Sequence, residues 1–359
     1  MTLDIPRYRL HNQFLSQTNL TEPSQVVECL AAVQSQDYAG AKWALAQRLK
    51  DTTTDAALDQ VFNEGKILRT HILRPTWHFV APQDIRWMLA LSAPRVHAVN
   101  GFMYRQQELD RASIKKSYAV LEKTLQGNKH LTRTELGSAF EEAGIKNASS
   151  SRLGYFLMSA ELDGVICSGP RRGKQFTYAL LEERAPQVQV LTREEALAEL
   201  TRRYFVTRGP ATLHDFTWWS GLTMADAKQG IDAVRSQFVS EEIDAKTYWF
   251  DNSISPAREK SPAAHLLPNY DEYFIGLKDR SAIGEVAKEA GIQSDDPSFI
   301  AHVIILDGQL VGGWRRTLKK EKVLLEYMLI TQLTKAQMSA VDKAASRYGE
   351  FLGLSIERV

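Results

Sequence analysis

From Pro23 onward the apolar residues Val26, Val27, Leu30 and Val33 recur at helical spacing. They predict a helix over residues 24–36, with Pro23 in its first turn. A second helix is expected near 55–64, closed by Gly65. The runs KILRTHIL and PTWHFVA then read as two strands that meet at Arg74-Pro75. The same order returns further along. Thr132 and Glu135 form a capping box ahead of RTELGSAFEEAG, which stops at Gly144. SSSRLGYFLMSAELDG is the next helix, with serine caps and a closing glycine, and GVICS and QFTYALL are strands around the turn GPRRGK. Helix, helix, strand, basic turn, strand is the order of a winged helix-turn-helix.

A third pass follows Arg193. TREEALAELTRRYF, GPATLHDFTWWSG and TMADAKQGIDAVRSQF are helical, and FVSEEID and KTYWFD alternate as strands. The Ser/Pro-rich stretch NSISPAREKSP links this unit to strand-like runs in 301–330, with a DG turn at 307–308, and to a last helix from Thr334 to about Phe351. The expected fold class is α+β. Winged helix 1 with an N-terminal helix covers 1–110, winged helix 2 covers 111–185, winged helix 3 covers 186–251, and a β-rich part with a terminal helix covers 252–359.

Composition narrows the partners. Lys+Arg 44 against Asp+Glu 43 leaves a net charge of +1 over 359 residues. Nucleic-acid binding must then come from a local basic surface. The two cysteines, Cys29 and Cys167, stand far apart, and no CxxC, HxH or HExxH spacing signals a metal. No metal and no other cofactor is expected. No run reaches the length of a membrane span, and the N-terminus lacks the apolar stretch of a signal peptide. A cytoplasmic protein without membrane contact is expected, acting as a monomer.

The end of the first helix holds the candidate chemistry. In AAVQSQDYAG, residues 31–40, two neutral amides stand two apart at Gln34 and Gln36. On a regular helix they would lie about 160° apart. They serve one ligand only if the helix ends or opens there. Structural amides tying a helix end to backbone are the commoner use of such residues. The functional reading needs a chemistry that uses amides without a carboxylate. Hydrolysis of an activated glycosidic bond is one. An N7-alkylated purine is cationic, its bond to the sugar is weakened, and its departure is oxocarbenium-like. An amide carbonyl can orient a water, and its dipole can steady the developing charge.

Gln34-Ser35-Gln36, LRPTWHFV (73–80), GPATLHDFTWWSGL (209–222), LLPNYDEYFIGLKDR (266–280) and DGQLVGGWRR (307–316) together resemble the AlkZ/YcaQ type of winged-helix DNA glycosylase. The resemblance runs in order over almost the whole chain. It implies three tandem winged helices and a C-terminal β-barrel-like domain. It implies monofunctional excision of N7-alkylated purines from double-stranded DNA, including bulky or cross-linked adducts. The Gln-x-Gln form resembles the branch linked to self-resistance against DNA-alkylating products, with Gln34 and Gln36 as the catalytic positions. Asp37 is out of register with the Gln-x-Asp form and is left as a bystander or a helix-end partner. The alternative class is a non-catalytic winged-helix DNA-binding protein or regulator, which would read sequence and ignore lesions.

Other residues are candidates for DNA contact. Strand alternation puts Arg74, Thr76 and His78 on one face, suited to a phosphate or sugar or simply solvated, with Trp77 and Phe79 turned to the core. Arg171, Arg172 and Lys174 sit on the basic turn of the second wing. Arg315, Arg316, Lys319, Lys320 and Lys322 cluster at a C-terminal hairpin, and the resemblance implies a barrel hairpin that probes DNA. Both sets also read as idle basic turns. Asp271 or Glu272 is expected to cap a turn or to pair with Arg280, with Asp271 an auxiliary candidate for steadying oxocarbenium charge. Trp218 and Trp219 are expected in the core.

Overall fold

The helix that begins at Pro23 stops at Leu30, well short of residue 36. The computed structural model describes residues 3–146, 150–185, 187, 191–253, 256, 261–292 and 302–359. Helix α1 spans Ile5–Asn12 and α2 spans Pro23–Leu30, and strand β1 spans Ala32–Gln34. Between α2 and β1, Ala31 takes φ 64 and ψ −51, a backbone seldom adopted outside glycine, and its N–H donates to the Glu28 carbonyl. That single residue turns helix into strand. The physical reason lies in LAAV (30–33), which is apolar on every side and at most 1% exposed. A run of this kind suits a fully buried strand as well as a helix.

The first unit continues with α3 (Tyr38–Ala46), α4 (Asp55–Asn63), β2 (Leu68–Ile72) and β3 (Thr76–Val80), and α5 (Ile85–Gln106) leads out of it. The second unit holds α6 (Arg111–Leu125), β4 (Leu131–Thr132), α7 (Arg133–Glu142), α8 (Ser150–Leu162), β5 (Ile166–Ser168), β6 (Thr177–Leu180) and α9 (Leu181–Arg184). The third has α10 (Arg193–Arg208), α11 (Leu213–Ser220), α12 (Met224–Val234), β7 (Val239–Ile243) and β8 (Lys246–Phe250). Helices α3, α5 and α6 add to those that the patterning places. The capping box at Thr132 and Glu135 forms as expected, while Ser149 of the expected serine cap lies outside the described residues.

Two three-stranded sheets share one topology, β1-β3-β2 and β4-β6-β5, with the last strand in the middle. In the third unit β7 and β8 pair alone, and an isolated bridge from Ala211 to Trp249 stands where a first strand would lie. The order helix, strand, helix, helix, strand, strand is therefore full in two units and reduced in the third.

Most of the Ser/Pro-rich link (252–262) lies outside the described residues. Beyond it come β9 (Ala264–Leu267), α13 (Glu272–Ile275), α14 (Glu285–Glu289), β10 (Val303–Leu306), β11 (Gln309–Leu318), β12 (Lys322–Leu329), α15 (Lys335–Leu352) and β13 (Ser355–Arg358). The sheet order is β13-β12-β11-β10-β9, and its two end strands do not pair. The barrel expected here is an open half-barrel. The DG turn joins β10 to β11 with φ 48 at Asp307 and φ 84 at Gly308, the doubly left-handed turn that matches strand twist. A Cβ on Gly308 would also come within 2.7 Å of Pro6.

The first unit sits in the middle. Its Leu68 and Val80 share a core with Leu200, Phe216 and Trp219 of the third unit. Its Val26, Trp43 and Phe79 share another with Leu266, Trp314 and Tyr348 of the half-barrel. Two buried ion pairs reinforce these seams. Arg48 of the first unit grips Asp271 with both terminal nitrogens, Nη1 to Oδ2 at 2.8 Å and Nη2 to Oδ1 at 2.7 Å. Arg208, the last residue of α10, reaches Glu272 at 2.6 Å.

Breaking one partner of such a pair leaves a charge stranded without water. Arg48→Met should therefore lower the unfolding free energy by about 3–5 kcal/mol in urea titrations. A loss below about 1 kcal/mol would show that Asp271 finds other compensation.

Candidate functional site

Strand β1 lies at the edge of its sheet, so only one side of its backbone is paired with β3, in the register Ala32 to Val80, Val33 to Phe79 and Gln34 to His78. Side chains from distant segments satisfy the other side. The Gln34 N–H donates to Glu272 Oε1 at 2.9 Å. Glu272 Oε2 accepts from Arg208 Nη2 at 2.6 Å and from the Trp219 indole at 2.9 Å. Arg208 in turn donates from Nη1 to the Leu30 carbonyl and from Nη2 to the Ala32 carbonyl, both at 3.1 Å. The end of α2 and the whole of β1 are thus tied to one buried ion pair. A protein edge without such partners would leave backbone groups unsatisfied.

The side chain of Gln34 is 6% exposed, and its Oε1 accepts from Arg74 Nη2 at 3.0 Å. Gln36 is exposed, and its amide makes no hydrogen bond to another described residue. The helix that would have set the two about 160° apart is absent. In extended backbone alternate residues fall on one side, and beyond Ser35 the chain bends at Gln36 and Asp37 before α3 begins. Arg69 holds that bend. Its Nε and Nη2 both donate to the Ser35 carbonyl at 3.2 Å, and its guanidinium lies 4.3 Å from the Trp77 ring and 4.5 Å from that of Phe176. Asp37 follows as the N-cap of α3, accepting from the Gly40 N–H, and faces Arg316 at 3.5 Å. It is a helix-end partner.

Arg74 in the β2–β3 turn and Thr76 and His78 on β3 do not form a solvated strand face. His78 is fully buried directly across from Gln34, and Arg74 and Thr76 are half-buried. His78 Nδ1 lies 3.0 Å from the Thr76 carbonyl, which only accepts, so Nδ1 carries the proton. Burial, with help from the Arg74 charge, lowers the His78 pKa to about 3. The ring is neutral, and its Nε2 is an acceptor with no partner among the described residues. Thr70 Oγ1, Thr76 Oγ1, Ser35 Oγ and Arg74 Nε are likewise buried without a partner. Of these residues, Arg74 bonds the amide of Gln34, and the strand register sets His78 opposite Gln34 and Thr70 opposite His78.

Asp271 and Glu272 find partners other than Arg280. Asp271 caps α13 through the Tyr273 N–H and has both oxygens on Arg48; Glu272 takes Arg208. Arg280 donates instead to the Phe274 carbonyl. Of the adjacent acids, Glu272 and not Asp271 touches the glutamine segment. Arg69 and Arg208 are site residues that the patterning did not single out, and Glu272 was expected only as a turn cap or a partner of Arg280. A pair of neighbouring acids in an apolar stretch does signal buried cations, but nothing local says which arginines supply them. Trp219 is in the core as expected, at 0% exposure, whereas Trp218 is 40% exposed.

The basic candidates divide. Arg171 is drawn inward, with Nη1 on Asp59 at 3.3 Å and its guanidinium over Tyr38 and Phe176. Arg172 reaches Glu135 at 2.7 Å, and Lys174 is exposed. Arg316 is occupied by Asp37 and by the Tyr348 hydroxyl at 2.7 Å. Arg315, Lys319 and Lys320 are exposed on the β11–β12 hairpin beside Leu318, itself 58% exposed. Among the described residues no group of three or more His, Cys, Asp and Glu is placed to hold a metal, and no helix is long and apolar enough to cross a membrane.

A model of the AlkZ-like DNA glycosylase family matches residues 27–351. The chain is 22% identical to an interstrand DNA cross-link repair glycosylase of Streptomyces sahachiroi, over 97% of this chain and 95% of that protein. It is also similar to the solved structure of the DNA glycosylase AlkZ of the same organism, with a TM-score of 0.78 and 20% identity over 99% of this chain and 98% of that one.

Two buried histidines, His78 and His265, and the half-buried His302 give the fold a pH signature. Burial lowers His78 to about 3 and His265 and His302 to about 4, from an ordinary 6.5. Below 6.5 the unfolded chain takes up protons that the folded chain refuses. Their contribution is therefore complete above 6.5 and shrinks as pH falls towards the folded values. The urea midpoint should fall between pH 6.5 and 4. His78→Gln should flatten that fall by roughly one proton, about 1.4 kcal/mol per pH unit. An unaltered slope would mean that His78 is protonated in the fold.

Proposed function

The chain belongs to the AlkZ-like DNA glycosylase family, and from that premise we propose that it hydrolyses the N-glycosidic bond of N7-alkylated purines in double-stranded DNA. The observation that carries the reading is the anchored glutamine: Gln34 is fixed through its backbone by Glu272 and through its side chain by Arg74, with Gln36 open to solvent just beyond. A water held by the two amides attacks C1′ as the bond to N9 breaks. The bonding electrons stay with the cationic purine, which leaves neutral, and the water gives its proton to solvent. The product is an abasic site. A leaving group already positively charged needs no general acid, which agrees with a neutral His78 and an arginine-rich surround.

A cleft of about 770 Å3 lies elsewhere, beside Ile5, Tyr248 and Gln309. An exposed Gln36 on an open surface suits adducts too large for a closed base pocket. It also suits the cross-link repair that the Streptomyces relative is named for. We read the three repeated units, 1–110, 111–185 and 186–251, as winged helix-turn-helix modules that embrace the duplex together with the half-barrel. Arg315, Lys319 and Lys320 of its hairpin, together with Lys174, offer phosphate contacts.

Duplexes carrying 7-methylguanine or a bulkier N7 adduct should release free base and leave alkali-labile sites. No release from any of them would overturn the reading. Gln34→Ala and Gln36→Ala should each slow excision about 100-fold or more. Gln36→Ala should leave stability unchanged, while Gln34→Ala loses about 1 kcal/mol through the Arg74 bond. Separately, Lys319→Ala with Lys320→Ala should weaken binding to all sequences alike and reduce the salt slope by roughly two.

A further inference from the structure

Helix α11 carries two consecutive tryptophans with opposite fates. Trp219 is sealed in the core against Glu272 and Arg208. Trp218 keeps 40% of its surface in solvent, yet it is not loose. Its indole N–H donates to the Ile275 carbonyl at 3.2 Å, so the ring's polar edge is satisfied and what remains open is apolar surface. The helix is also locked in place. It ends at Gly221, φ +71, where a Cβ would come within 2.6 Å of the Leu73 carbonyl and 3.3 Å of Arg74 Cγ. The end of α11 therefore rests on the turn that carries Arg74. The Arg74 guanidinium lies 5.6 Å from the Trp218 ring centre, and the same guanidinium donates to Gln34 Oε1 at 3.0 Å. An exposed, oriented aromatic ring thus stands one residue away from the amide assigned to the chemistry.

Resting on the glycosylase reading above, we propose that Trp218 is a stacking surface that receives a flat aromatic ring of the lesion beside Gln34 and Gln36. An indole held by its nitrogen loses little freedom on binding, and stacking of a base on an aromatic side chain is worth about 1–3 kcal/mol. The ring it receives belongs either to the alkylated purine or to an aromatic appendage of the adduct. The bland alternative is that Trp218 only orients Arg74 through its face.

Substitutions and two lesions separate these. Single-turnover excision is measured against protein concentration on duplexes carrying 7-methylguanine or N7-benzylguanine, with Trp218→Ala, Trp218→Leu and Trp218→Phe. Trp218→Ala and Trp218→Leu should raise the half-saturating concentration tenfold or more on at least one duplex, and Trp218→Phe should stay within threefold of wild type. An equal loss on both duplexes supports the purine as the stacked ring. A larger loss on N7-benzylguanine supports the appendage. Trp218→Leu matching wild type on both, or Trp218→Phe failing as badly as Trp218→Ala, would overturn the proposal. Wild-type protein that releases base from neither duplex would overturn the glycosylase reading itself, and this proposal with it. If it acts on one only, the three variants are compared on that one.

Discussion

Arg208 and Glu272 face each other at 2.6 Å with at most 1% of either side chain in solvent. Two charges withdrawn this far from water are costly unless every donor and acceptor is used. Here they nearly are. Glu272 accepts from Gln34, Arg208 and Trp219, and Arg208 donates further to Leu30, Thr207 and Ala32. The pair draws together the half-barrel, the end of α10, the core face of α11 and the edge of β1 that no strand pairs. Without it the short strand bearing Gln34 would be paired on one side only, and three residues make too little strand to hold themselves in place. The position of the candidate site follows from an ion pair whose members are far apart in sequence.

That dependence explains what the sequence could and could not reveal. The capping box of Thr132 and Glu135, the DG turn at 307–308 and the closing glycines are local chemistry, and they form where the residues predict. Strand β1 was illegible for the opposite reason. Its apolar residues fit a helix or a buried strand, and β3, the partner that decides between them, lies over forty positions on. The acids of LPNYDEY were recognisable as needing partners, but their arginines come from other units. Trp218 and Trp219 are neighbours on one helix, and only the packing of α11 against the Arg74 turn assigns one to the core and the other to the surface. The open edge of the C-terminal sheet was equally out of reach, since closure depends on whether the first and last strands meet.

The site itself fits chemistry driven by a leaving group. Its histidine is buried and neutral, its aspartate at 271 is taken up by Arg48, and its exposed functional group is an amide. Strong acid or base catalysis is not what these groups supply. In the proposed mechanism the amides orient a water and present a dipole to developing charge, which suffices where the departing base is already cationic. An open setting beside an exposed indole also lets a large lesion approach without a closed pocket.

The role given to Glu272 is tested most directly by single-turnover excision of 7-methylguanine with Glu272→Gln, measured at a temperature where the variant is folded. Glu272 accepts from the Gln34 backbone and is only 1% exposed. The expected result is a rate constant lowered about tenfold or more, with affinity for lesion duplex unchanged. A wild-type rate constant in a folded variant would contradict the claim that this buried carboxylate sets the catalytic glutamine.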